Sequence, residues 1–238
     1  MEEKFKAPDG WETYSNSVFE KTRLLIELNI WDNVKQLDLN IWLNNFDRHA
    51  EGRYLSACIL DALTFRSRNM CHSMLRKIAN DLVPNQCRKL GIETFQTLSE
   101  WSERLNSGDT LVRFVPVNLL NKSHKSSAVV ARQFVEANDI PDYIVQPPER
   151  IQETIENGTK LIVFIDDIAG SGRQFIRFCN ERNLENFKEH VHFLYAPLAA
   201  HTDAVRAIEK RYSFIEVKPI DELNNMHNFF HECEQGFF

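Results

Sequence analysis

Long apolar runs are missing from this chain of 238 residues. Its most hydrophobic stretches, LIVFI and VHFLYAPLAA, fall short of the roughly 20 residues that span a bilayer, and the start MEEKFKAPDG has no apolar signal core. That argues against a membrane class and a secreted one, so a cytoplasmic protein is expected. Cysteine is sparse: Cys58, Cys71, Cys87, Cys179 and Cys233 are scattered, odd in number and never form CxxC. This pattern argues against a disulfide framework and a zinc knuckle, and the five read as reduced thiols. Positive charge is short too, with 28 Lys and Arg against 34 Asp and Glu, a net charge of -6. Such a surface offers nucleic acid no general attraction, and direct nucleic-acid binding is not indicated. Repeats, low-complexity tracts and a GxxxxGK[ST] phosphate loop are absent as well.

What remains is an ordinary globular composition, 43% hydrophobic and 26% charged, in a chain long enough for one α/β domain with a sizeable appendage. The pattern changes near residue 109. Before it, glycine and proline are few and the runs SNSVFEKTRLLIELNIW, LDLNIWLNNF and RYLSACILDALTFRSRNMCHSMLRKIANDL carry apolar residues at helical spacing. Ser15 or Ser17 would cap the first helix, and Trp31, Trp42 and Trp101 would fill helical cores. NSGD at 106–109 breaks the pattern. Beyond it, strand-like LVRFVPVNL, LIVFI, HVHFLYAPLA and SFIEVKPI alternate with helical SSAVVARQFVEAND, GSGRQFIRFCNERN and TDAVRAIEKRY. Alternation of this kind predicts a parallel sheet with helices on both faces. The expected organisation is a helical region over 1–108 and an α/β core over 109–238.

The chemistry is most legible in LIVFIDDIAGSGRQF, residues 161–175. An apolar strand is expected to end on Asp166 and Asp167, and Gly170, Ser171 and Gly172 then open a helix. In open α/β sheets ligands sit beyond the carboxyl ends of the strands. A helix start offers unpaired N–H groups and a positive dipole end to phosphate. Two carboxylates beside a phosphate repel it unless they bind something else, such as neighbouring sugar hydroxyls or Mg²⁺. The combination suggests a phosphorylated ribose.

These residues resemble the fingerprint of the type I phosphoribosyltransferases: an apolar strand, two acids, a few small residues, then a Ser-Gly turn. The resemblance implies that Asp166 and Asp167 contact the ribose hydroxyls of phosphoribosyl pyrophosphate (PRPP) and serve a Mg²⁺ ion. It implies that Ala169, Gly170, Ser171, Gly172, Arg173 and Gln174 hold the 5′-phosphate. Ser123, Lys125 and Ser126 in NLLNKSHKSS would cradle the pyrophosphate, Lys125 compensating charge in catalysis. NDIPDYIVQPPER would be the flexible catalytic loop. The sequence departs from the fingerprint twice: Gly170 stands where members acting on purines often place an Asp, and Gln174 replaces a small hydroxyl residue. With WLNNFDRHAEGRYLSACILDAL ahead of the core, the chain resembles more closely the divergent phosphoribosyltransferase-like effectors of bacterial antiphage defence, some of them retron-associated.

Blander readings stand beside these. His227 and His231 are spaced like zinc ligands but lack the HExxH glutamate, and read as a solvated helix. His201 falls near a strand end, over the base side of the site or simply in a loop. Arg173 and Lys125 are site cations or plain surface charge. Function then divides between transfer of a phosphoribosyl group and a catalytically silent nucleotide sensor whose helical region docks a partner protein or forms a homo-oligomer. A metal-dependent nucleic-acid-processing effector ranks last, because no further spaced carboxylates appear.

Overall fold

Ser15, Val18, Phe19, Thr22 and Ile26 recur at helical spacing and form the buried stripe of α1 (Trp11–Glu27). In the computed structural model, which describes residues 5–46, 48–119 and 125–227, side chains of 125–127 aside, α1 is followed by α2 (Gln36–Leu43) and α3 (Ala50–Ala62). Val18, Phe19, Trp31, Leu39, Leu43, Ala57 and Leu60 share one core there. The helix starts earlier than its serines suggest. Gly10 precedes it, and Ser15 lies buried inside it rather than capping it.

Two compact units divide the chain: residues 1–70 with 225–238, and residues 71–224. The division falls inside α4 (Arg68–Lys77), which runs through a π-turn at Ile78–Leu82 into α5 (Val83–Leu90). Next comes α6 (Leu98–Ser107), capped by the Thr97 side chain and ended at Gly108, φ 75°, in the NSGD breaker.

The second unit holds the sheet. β1 (Val112–Pro116) leads through α7 (Lys125–Asn138) and α8 (Ile151–Glu156) to β2 (Leu161–Ala169). Then follow α9 (Arg173–Glu181), β3 (His192–His201), α10 (Thr202–Arg211), β4 (Ile215–Val217) and β5 (Asp221–Leu223). The strands pair in parallel in the order β1-β2-β3-β4, and β5 joins the far half of β3. One face of the sheet buries Phe114, Val163, Ile165 and Leu194 against Phe134 of α7 together with Leu75, Ile78, Val83 and Trp101. The other buries Ile162, Phe164, Phe193 and Tyr195 against Phe175 and Phe178 of α9 and Ile208 of α10. With both faces covered, strands are apolar throughout, so LIVFI shows no alternation. This is an α/β fold, a parallel sheet with helices on both faces and a helical region before it in sequence.

Two local expectations change. β2 continues four residues past Ile165, because β3 is long enough to pair Ile168 with Ala199 and Ala169 with Ala200. The proline-bearing segment after α7 is anchored rather than free. Val145 bridges to Phe114, the Gln146 N–H donates to the Phe114 carbonyl at 2.7 Å, and Ile144 is fully buried.

Candidate functional site

The acidic pair lies in the last turns of β2, at the carboxyl end of the sheet where ligands of such folds gather. The two carboxylates have different surroundings. Asp166 is only 4% exposed, on the face covered by α9. Its Oδ2 accepts the Tyr195 hydroxyl at 2.9 Å, and its Oδ1 accepts the Asp167 N–H at 3.0 Å. Burial, reinforced by the charge of Asp167, pushes the Asp166 carboxyl up to about 8, although the Tyr195 hydroxyl pulls the other way. Burial and the neighbouring Asp166 in turn push the Tyr195 phenol well above its usual range. Asp167, in contrast, is exposed, and its Oδ1 accepts the adjacent Ile168 N–H at 2.8 Å.

Residues 170–172 then turn the chain into α9. Gly172 sits at φ 74°, and a Cβ there would come within 3.0 Å of the Ala204 carbonyl oxygen and 3.1 Å of Ile208 Cγ1. Only glycine meets both demands, a left-handed backbone and contact with α10. At Gly170 a Cβ would meet nothing within 4 Å, so that position of the turn borders open space. α9 begins without a side-chain cap and without an acid in its first turn. Its first residue is instead the exposed Arg173, which forms no ion pair among the described residues. A cation at a helix start opposes the dipole. An anion bound in front of Ser171, Arg173 and Gln174 would satisfy the free N–H groups and the guanidinium together.

The remaining residues singled out in the sequence fall in other segments. Ser123 lies outside the described residues, as do His231 and Cys233. Lys125 opens α7, with Ser126 next in the helix. His201 caps α10: its Nδ1 accepts the Asp203 N–H at 3.2 Å, which spends it on structure rather than over a ligand. His227 lies in a short turn, Asn225–His227. Cys87 and Cys179 are buried thiols, the first pushed up to about 12 by burial and the second higher still. They are too poorly ionised to act as nucleophiles.

Sequence reasoning missed Tyr195 and Phe175. Tyr195 stacks flat on Phe175, with centroids 3.7 Å apart and planes 5° apart, directly behind the acidic pair. The visible signal was a hydroxyl-bearing ring inside an otherwise apolar strand.

The described residues contain no cluster of three or more His, Cys, Asp or Glu able to hold a metal ion. Mg²⁺ fits here only as Mg²⁺ usually binds in phosphate sites, with one protein carboxylate and the substrate's own oxygens completing its shell. Asp167, the exposed member of the pair, is the group that suits it. Two concavities of this unit, about 400 Å³ and 370 Å³, lie at the opposite, amino-terminal ends of the strands and meet at His192. They share no residue with the acidic motif, whose chemistry identifies the site better than volume does. No helix of the described chain is long and apolar enough to cross a membrane.

A family model described as PRTase-CE matches residues 39–238. Among solved structures, the orotate phosphoribosyltransferase from Aeropyrum pernix is similar at 11% identity, over 56% of this chain and 70% of that one, with a TM-score of 0.32. No curated protein matches the chain.

Proposed function

Because the chain belongs to the PRTase-CE family, a phosphoribosyltransferase-like group, we propose that the carboxyl end of β2 and the start of α9 bind PRPP or a related phosphorylated ribose. One observation carries the reading. An exposed carboxylate, Asp167, is followed within a few residues by a glycine-dependent turn into an uncapped helix whose first residue is an arginine with no ion pair among the described residues. In this reading residues 170–174 take the 5′-phosphate, and Asp167 takes a ribose hydroxyl directly. Asp166 stands behind it and holds the Asp167 backbone. Mg²⁺, when bound with the substrate, would neutralise charge on the pyrophosphate, and Asp167 is the residue of this chain that would hold it.

The reaction supported is displacement at the anomeric carbon. The bond from C1 to pyrophosphate breaks and a bond from C1 to the acceptor nucleophile forms, while the protein positions the ribose and stabilises developing charge. Ser123, Lys125 and Ser126 are proposed to meet the pyrophosphate. A role in bacterial antiphage defence belongs to the same proposal and rests on the sequence resemblance of the helical region.

A second reading, a silent sensor that signals to a partner protein or a second copy, is favoured by one feature: Gly170 brings no side chain to the turn that could act as a general base. Calorimetry with PRPP and Mg²⁺ tests the shared premise. The wild type should bind saturably and Asp167→Asn should lose most of the affinity; a wild type that gives no heat beyond dilution contradicts it. Release of pyrophosphate in the presence of purine and pyrimidine acceptors then separates enzyme from sensor.

A further inference from the structure

Tyr195 lies in β3 opposite Phe164 of β2, and Asp166 is two residues beyond Phe164 on the same side of the sheet. The tyrosine is 1% exposed, and so is Phe175, on which its ring rests. Phe175 is the third residue of α9, immediately after the glycine turn. One side chain therefore touches both halves of the motif. Its ring bears on the helix that presents the turn, and its hydroxyl holds Asp166, which holds the Asp167 N–H.

Stability does not explain this arrangement. The side chains packed around it, Phe164, Phe178, Phe193 and Ile162 among them, are apolar, and a phenylalanine at 195 would fill the same space. A buried hydroxyl and carboxyl that satisfy each other contribute little over an apolar pair of the same shape. What the pair does supply is geometric: it fixes the carboxyl group that anchors the Asp167 backbone relative to the start of α9.

The geometry points to Tyr195 as a positioning residue that registers the acidic end of β2 against the phosphate turn, so that Asp167 and residues 170–174 engage one ligand together. This inference deepens the phosphoribosyl reading and rests on it for the identity of the ligand. It adds a residue outside the motif and a division of labour within it, with Asp166 as the support and Asp167 as the contact.

Tyr195→Phe keeps the ring and removes the hydroxyl, so it isolates the role. Two readouts are needed: the Asp167 amide resonance and its hydrogen exchange in the free protein, and calorimetric affinity for PRPP with Mg²⁺. The expected result is a shifted, faster-exchanging Asp167 amide and an affinity lower by about tenfold, the effect of one hydrogen bond to a carboxyl, with the thermal midpoint within a few degrees of wild type. An Asp167 amide that does not move overturns the inference, and so does an amide that moves while affinity stays the same. A wild type that fails to bind PRPP sinks the ligand assignment instead. In that case the amide measurement alone decides whether Tyr195 sets the strand end. A purely structural tyrosine would lower the thermal midpoint and leave the other amides and the affinity as they were.

Discussion

The two halves of β2 lie on one strand, nine residues long, and obey different rules. Residues 161–165 are all fully buried, each packed into one of the two cores of the sheet unit. In the second half Asp166, Ile168 and Ala169 keep the ladder to β3 while Asp167 drops out of it, and exposed Asp167 and Ile168, the latter 55% exposed, stand between buried Asp166 and Ala169. The first half spends its side chains on holding the sheet. The second leaves polar and apolar groups where packing gives no return, and there the fold presents chemistry.

The largest effect expected from this contrast lies in the first half. Phe164 stacks on Phe193 and meets Phe175 and Phe178 edge-on. Phe164→Ala should cost about 3–5 kcal/mol in chemical denaturation, whether or not a ligand is present. Gly172→Ala comes next. It places a Cβ in a left-handed backbone against α10 and should cost about 1–3 kcal/mol, while also weakening PRPP binding, because the turn must shift.

Acidity sharpens the comparison within the second half. Asp166 has its carboxyl at about 8 when folded, against about 4 in an unfolded chain. Between those values the folded state holds a proton that the unfolded state has released, so stability falls as pH rises, by at most about 1.4 kcal/mol per pH unit. Unfolding at several pH values should show that slope, and Asp166→Asn should flatten it. The smallest effect on stability belongs to Asp167→Asn. Exposed and off the core, the substitution should change unfolding by no more than about 0.5 kcal/mol, yet it should remove most ligand affinity. A large loss of stability there would collapse the distinction between the halves.

The sequence made the first half easy to read and the second only partly so. Apolar runs such as LIVFI, the NSGD break and the alternation of strand and helix are local signals, and the sheet follows them. Gly172 was legible because a turn into a helix behind two acids has few other uses. The continuation of β2 through Ala169 was not, because it depends on β3, about thirty residues further along the chain. Tyr195 escaped for the same reason, since its hydroxyl acquires meaning only when strand register brings it to Asp166. His201 could be read over the base side of the site or simply in a loop, and only the start of α10 shows it as a cap. The first helix begins at Trp11 and not after its serines, because the buried stripe runs through Ser15 and the cap falls to Gly10. Registers and caps are settled by packing between distant segments, which a local pattern does not carry.

The most direct test is amide chemical-shift mapping of the ¹⁵N-labelled protein during titration with PRPP and Mg²⁺. The account predicts that the resonances that move belong to Asp167 and residues 170–174, while those of residues 161–165 stay in place. Shifts centred instead on Lys160 and His192, at the other end of the same strands, would contradict it.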